Sequence, residues 1–197
     1  RLNHQQQNFM MAVTHELKTP IAVAKLNLET LLKRKLDEPQ QEKLLDNTLR
    51  EANRLNDLCN NILLASQIES GNYLINKQEI NFTELVYESV DYFKTRFPAF
   101  VINDEHIEES VYVKGDDLLL QVAVNNIIEN AVKYSGRQKV ITVALKKERN
   151  NALLEIKDEG EGIPAADKKR IFDKFYRVGN ENTRKTKGTG LGLFLTR

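Results

Sequence analysis

Apolar side chains in the first third of the chain recur at Met10, Leu17, Ala24 and Leu31, a seven-residue period, with Ile21 and Leu28 at adjoining positions. Seven residues are close to two helical turns, so these side chains form one stripe, as a seam between helices requires. A break at "LDEPQ" follows. There Asp37 can cap a second helix and Gln40 can complete a capping box, while Lys33, Arg34 and Lys35 suit the C-terminal end of the first. The second helix is expected to reach Ser70, with Leu44, Leu45, Leu49, Ala52, Leu55, Leu58, Ile62 and Ala65 at helical spacing and Gly71 as its stop. Two helices cannot enclose a core. Two such hairpins can, as a four-helix bundle, so the stripe predicts a homodimer; packing of the same stripe against the rest of the chain is the alternative.

Beyond Gly71 the texture changes. Short β-type runs, "VYVKGD", "KVITVALKKE" and "NALLEIKDEG", alternate with helical segments such as "DDLLLQVAVNNIIENAVKYS". The runs around Asn150-Asn151 alternate on both sides and predict a β-hairpin. From Gly162 to Gly188 the chain is polar and carries Arg177, Arg184, Lys185 and Lys187, which predicts a mobile loop. The expected organisation is therefore a helical domain over residues 1–71 and an α+β domain over residues 72–197. With 29 basic and 28 acidic side chains the net charge is +1, which gives no reason to expect nucleic acid or an anionic membrane as the main partner. The single cysteine, Cys59, cannot form an internal disulfide and fits a reducing compartment. No apolar run approaches the roughly 18 residues of a membrane span, and because the sequence does not start with Met it reads as an excised piece.

Within the first helical stretch lies "HELKTP". A proline inside a helix removes a backbone hydrogen bond and crowds the preceding turn, at a cost of about 3 kcal/mol, so Pro20 needs a reason. Its effect falls on the carbonyl of Glu16, next to His15. Imidazole is a nitrogen nucleophile that is largely neutral at physiological pH. Glu16 can take the ring proton or fix the tautomer, and Thr19, four residues on, shares a helix face with His15 and can position a water. A plain surface histidine beside an ordinary carboxylate is the other reading.

Four further segments carry chemistry. In "NNIIENAVKYS", Asn126 and Asn130 are one turn apart and offer side-chain oxygens suited to a hard cation, with Lys133 on nearly the same face. In "DEGEGIP", Gly160 and Gly162 allow close backbone approach to a flat ligand, and the Asp158 carboxylate, an acceptor only, suits the exocyclic amine of adenine. In "IFDKFYRV", Phe172 and Phe175 are expected to pack into the core at the base of the loop. In "GTGLGL", Gly188, Gly190 and Gly192 can turn backbone N–H groups to phosphates at a helix N-terminus. The P-loop pattern is absent, and a dinucleotide fingerprint fails at Leu193.

In this fixed order, "HELKTP" and the four segments resemble the phosphoacceptor motif, N box, first glycine box, F box and last glycine box of bacterial sensor histidine kinases. "EANRLNDLCNNILLASQIESG" is similar, in composition, to that family's second dimerisation helix. The resemblance implies a dimeric helical-hairpin domain followed by an α/β sandwich of the histidine kinase, Hsp90 and gyrase ATPase type, with a mixed, largely antiparallel sheet. It implies that His15 is phosphorylated with help from Glu16, that Thr19 supports a phosphatase activity, and that Asn130 ligates Mg²⁺ with Asn126 beside the phosphates. ATP contacts are implied for Lys133, Tyr134, Asp158, Gly160, Gly162, Ile163, Phe175, Arg177, Lys187, Gly188, Thr189, Gly190, Leu191 and Gly192.

The implied partners are a second copy of the chain and the receiver domain of a response regulator. The implied setting is the cytoplasmic side of an inner-membrane-anchored sensor. The family continues past "LFLTR" with the rest of a helix and a β-hairpin, so the C-terminal domain is expected to be incomplete. Two other functions fit parts of the pattern: an ATPase of the related gyrase, Hsp90 and MutL fold, and a dimeric scaffold with a dead nucleotide site. Only the kinase gives "HELKTP" a task.

Overall fold

A computed structural model describes residues 2–179 and 188–196. They divide into two compact units, residues 2–73 with 179 and 188–191, and residues 74–178 with 192–196.

The first unit is built on two helices, α1 (Leu2–Lys33) and α2 (Glu38–Glu69). Helix α1 runs unbroken through Pro20. Asp37 caps α2 as expected, its carboxylate accepting the Gln40 N–H at 2.9 Å. Gln40 takes part through its backbone, and the side chain that reaches back belongs to Gln41, which donates to the Leu36 carbonyl at 2.9 Å. At the other end Gly71 adopts φ +69°; its N–H donates to the Ile68 carbonyl and the Asn72 N–H to the Gln67 carbonyl. These are the paired bonds of a Schellman stop, and the left-handed residue that makes them possible is the glycine. Tyr73 N–H also donates to the Gln67 carbonyl, at 3.2 Å.

Val13, Glu16, Pro20 and Asn27 make up the buried side of α1, and Leu64 and Ala65 are buried on α2. The expected seam is only partly covered. Leu17, Ala24 and Leu31 are half-buried, whereas Met10, Ile21, Leu28 and Leu32 on α1 and Leu45, Leu49 and Leu63 on α2 are exposed.

In the second unit the order is β1 (Gln78–Asn81), α3 (Phe82–Arg96), β2 (Val101–Ile107), β3 (Tyr112–Gly115), α4 (Asp117–Tyr134), β4 (Val140–Glu148), β5 (Asn151–Asp158), a 3₁₀ turn (Arg170–Phe172) and α5 (Gly192–Leu195). Strands β1 and β3 form an antiparallel pair. A second sheet has the order β2-β4-β5, with β2 parallel to β4 and β4 antiparallel to β5, so the sheets are mixed and mostly antiparallel. The β4–β5 connection is a hairpin, but Glu148 pairs with Asn151, which makes Arg149 and Asn150 the turn residues. This is one position earlier than the sequence suggested; Arg149 takes the left-handed conformation at φ +51°.

Ile141, Val143 and Leu145 of β4 are fully buried, and they join Val86, Val90 and Phe93 of α3 and Val124, Ile128 and Ala131 of α4 in one core. The alternate residues of β4 point the other way, the period-2 pattern of a sheet covered by helices on one face. Polar caps start both large helices: Asn81 accepts the Glu84 N–H, and the buried Asp116 accepts the Leu119 N–H at 3.2 Å. Asp116 also accepts the N–H of Asn76, at 2.8 Å. No helix among the described residues is long and apolar enough to cross a membrane.

Candidate active site

His15 is exposed on α1 and lines a shallow groove of about 370 Å³ with Met10, Met11, Thr14 and Lys18. The helix that carries it lacks one backbone donor, because Pro20 has no N–H to offer the Glu16 carbonyl. Thr19 bonds its hydroxyl to the carbonyl of His15 at 3.1 Å. A hydroxyl that donates its one proton keeps its lone pairs, so Thr19 can still accept from a water beside His15.

Glu16 behaves differently from its neighbour. Successive residues on a helix diverge by about 100°, which turns Glu16 to the buried side shared with Val13, Pro20 and Asn27. There its carboxylate accepts from the guanidinium of Arg54, on α2, at 2.9 Å. Glu16 is 9% exposed at its side chain and Arg54 36%.

In the second unit three motifs meet at α4. Asn126 and Asn130 lie on one side of that helix, the first buried and the second half-buried. A Cβ added to Gly192 would stand 3.0 Å from Asn126 Oδ1, so the start of α5 is pressed against the asparagine amide. At the C-terminal end of α4, a Cβ on Gly160 would fall 2.0 Å from the Tyr134 carbonyl oxygen and 2.6 Å from Asp158 Oδ1. Any side chain at position 160 would therefore drive the Asp158 turn off the helix. Asp158 also accepts the Gly160 N–H at 2.8 Å, which fixes the carboxylate in its turn. Gly162 has open space around it but takes φ +72°, where its role is conformational.

These features fit a nucleotide. Asn126 Nδ2 is buried with no hydrogen-bond partner among the described residues, an orphan donor beside the glycine that would face phosphates. Asn130 carries the oxygen a hard cation needs.

The remaining expected contacts are more dispersed. Lys133 is exposed and forms an i,i+4 ion pair with Glu129 at 3.2 Å. Tyr134 and Ile163 are exposed. Phe175 is half-buried with φ +66°, and the Lys174 ammonium lies 4.7 Å from its ring centroid. Phe172 and Phe175 were expected in the core, yet both are half-buried and stand outside the main apolar cluster. The reason is local: the segment folds as a 3₁₀ turn followed by a left-handed residue, not as a helix that could lay both rings on one face. Arg177 is half-buried. Gly188, Thr189 and Gly190 are half-buried and Leu191 is buried; these four group with the first unit and Gly192 with the second, so the glycine run crosses the division of the chain. Lys187, with Arg184, Lys185 and the rest of the 180–187 stretch of the expected loop, lies outside the described residues.

Three residues were not singled out from the sequence. Ser135 caps α4, and its hydroxyl is fully buried without a partner among the described residues. Gly136, at φ +68°, leaves only 3.3 Å between a Cβ and the Glu159 carbonyl. Arg54 belongs to the inward spacing of Glu51, Leu55 and Leu58, a signal that was available but reads as an ordinary surface charge.

A helical hairpin bearing an accessible histidine, joined to an α/β unit whose asparagine helix is approached by two glycine turns, defines a protein that pairs a phospho-acceptor domain with an ATPase fold. Comparison with known families agrees. Residues 5–71 match the His Kinase A (phospho-acceptor) domain, and residues 115–197 match the histidine kinase-, DNA gyrase B- and HSP90-like ATPase family. The chain belongs to the sensor histidine kinases. It is similar to the sensor histidine kinase WalK of Bacillus subtilis (strain 168), 31% identical over all of this chain and 33% of that protein. Among solved structures, the histidine kinase AdeS of Acinetobacter baumannii has a like fold, with a TM-score of 0.60, 24% identity and coverage of 92% of this chain and 83% of that one. The histidine kinase ThkA, solved in complex with the response regulator TrrA, shares the fold with a TM-score of 0.52 and 20% identity, covering 86% of this chain and 50% of that one. The chain spans from a third to about half the length of the curated relatives it matches first.

Proposed function

We propose that the chain takes the γ-phosphoryl group of ATP onto His15 and passes it to an aspartate on the receiver domain of a response regulator. The observation that carries this reading is the convergence of the Asn126, Asp158–Gly160 and Gly192 segments on α4 in a chain that also presents His15 on an exposed helix face. Residues 1–71 would serve as the dimerisation and phosphotransfer domain and residues 72–197 as the ATP-binding domain.

In the transfer, one ring nitrogen of His15 attacks the γ-phosphorus. The bond from that phosphorus to the bridging oxygen breaks, and ADP leaves with the electron pair. The proton on the other ring nitrogen goes to a base, for which Glu16 is adjacent in sequence. Such transfers depend on alignment and charge neutralisation more than on covalent help. Asp158 would accept from the adenine amine, with Gly160, Gly162, Ile163 and Tyr134 around the base. Backbone N–H groups of Gly188, Thr189, Gly190, Leu191 and Gly192 would face the phosphates, with Asn126, Lys133, Arg177 and Lys187 adding donors and Phe175 anchoring the loop base. Mg²⁺ held by Asn130 would supply further neutralisation of charge on the phosphate oxygens.

Thr19, whose hydroxyl lone pairs could hold a water beside His15, would serve a reverse, phosphatase activity. The exposed apolar stripe on α1 and α2 supports a homodimer with a four-helix bundle. The complex of ThkA with TrrA supports a receiver domain as partner. A place on the cytoplasmic side of an inner-membrane-anchored sensor follows from the family reading.

Incubation with γ-labelled ATP and magnesium tests the reading. The wild type is expected to carry an acid-labile, base-stable label that moves to a receiver domain when one is added. His15→Gln should carry none. Free labelled phosphate without labelled protein would instead favour an ATPase that uses this fold for conformational work.

A further inference from the structure

Arg54 stands between two carboxylates. Its Nη2 donates to Glu16 at 2.9 Å, across the hairpin, while its Nη1 lies 3.9 Å from Glu51, one turn back on its own helix. The second distance is within reach of an ion pair but too long for a hydrogen bond. Glu51 Oε2 is buried and has no hydrogen-bond partner among the described residues, although a guanidinium is close by. One cation thus serves two acids, and one of the two is left short. The buried oxygen of Glu51 is a ready seat for Arg54 if the guanidinium leaves Glu16.

The contact bears directly on His15. Glu16 and His15 are neighbours in sequence, yet residues i and i+1 on a helix do not face each other. With Arg54 in place, the Glu16 carboxylate is drawn to the α2 side of α1, while the imidazole stands exposed about 100° around the helix. A carboxylate in that position cannot also collect a proton from the ring.

We propose that Arg54 is a positioning residue with two seats: on Glu16 it withholds the carboxylate from His15, and on Glu51 it releases the carboxylate to accept the ring proton during phosphoryl transfer. This rests on the reading that Glu16 takes that proton. The proton leaves the ring as the nitrogen–phosphorus bond forms and ADP departs; the pairing of Arg54 alters no bond and sets only how often the base is free. A guanidinium suits the task because its fork can be shared between two carboxylates at a small shift in position.

The test is autophosphorylation by γ-labelled ATP, read as separate kcat and KM values, for Arg54→Gln, Glu51→Gln and Glu16→Gln and for the double variants with Glu16→Gln. Arg54→Gln frees the carboxylate and should raise kcat. Glu51→Gln weakens the second seat and should lower it. Each change is expected to be about two- to fivefold, the range open to a partly exposed ion pair, with KM for ATP unmoved. In the Glu16→Gln background both effects should vanish, because no carboxylate remains to be withheld.

Effects of Arg54→Gln and Glu51→Gln that persist without Glu16, or equal signs for the two, would overturn the proposal while leaving Glu16 as base. A Glu16→Gln variant as fast as wild type would instead remove the base reading on which the proposal rests. Arg54→Lys, which keeps the charge and loses the fork, guards against a folding defect. Its thermal unfolding should match wild type while its kcat falls between those of wild type and Arg54→Gln; a kcat below wild type would also count against the two-seat reading.

Discussion

The two units of this chain complete their cores to different degrees. In the α/β unit, β4 lays Ile141, Val143 and Leu145 against α3 and α4, and all three side chains are fully buried. In the hairpin, two helices of 32 residues each leave Met10, Ile21, Leu28, Leu32, Leu45, Leu49 and Leu63 exposed. A sheet covered by helices can close a core within one chain, whereas two helices have only one shared face and must bury their second stripe elsewhere. The α/β unit therefore gathers its apolar core from its own elements. A hairpin that pairs with a second copy, as proposed, would have a stability tied to concentration.

That contrast can be broken most directly at Leu49. In a symmetric dimer one substitution alters two copies of the same contact. Burial of a leucine is worth about 1.5–3 kcal/mol, so losing two predicts a dimer weakened by about 3–6 kcal/mol for Leu49→Glu. Analytical ultracentrifugation should show monomers at concentrations where the wild type is dimeric, and an unchanged dimer would show that this stripe is not the interface. Next in size is Ile128→Ala in the closed core, expected to cost about 2–5 kcal/mol by urea denaturation, without a change in oligomeric state. A loss below about 1 kcal/mol would mean that the core around α4 collapses to fill the gap. Smallest is Asp37→Ala, which removes the cap of α2 and should cost about 1 kcal/mol. It should lower the melting temperature of the hairpin while the α/β unit melts as before.

How much was legible in the sequence divides along the same line. The hairpin was readable because its signals are local: Asp37 bonds the Gln40 N–H, and Gly71 supplies the left-handed residue of a Schellman stop. Strand β2 was not found, because Asn103, Asp104, Glu105 and His106 interrupt the apolar pattern and a register shift lies between Asn103 and His106. Strand β1 has only four residues, too few for a period to emerge. Among the site residues, Asn126, Gly160 and Gly192 were legible as types in a pattern. What no pattern could supply was the reason Gly160 must lack a side chain, which is the Tyr134 carbonyl, distant in sequence. Arg54 was missed for the same reason, since its partner Glu16 lies on the other helix.

The carboxylate of Asp116 has a mechanical consequence. Its two oxygens hold the Leu119 amide in the first turn of α4 and the Asn76 amide in the segment that enters β1. One buried carboxylate therefore sets both where the asparagine-bearing helix begins and where the incoming chain is pinned, so that removing it would loosen both at once.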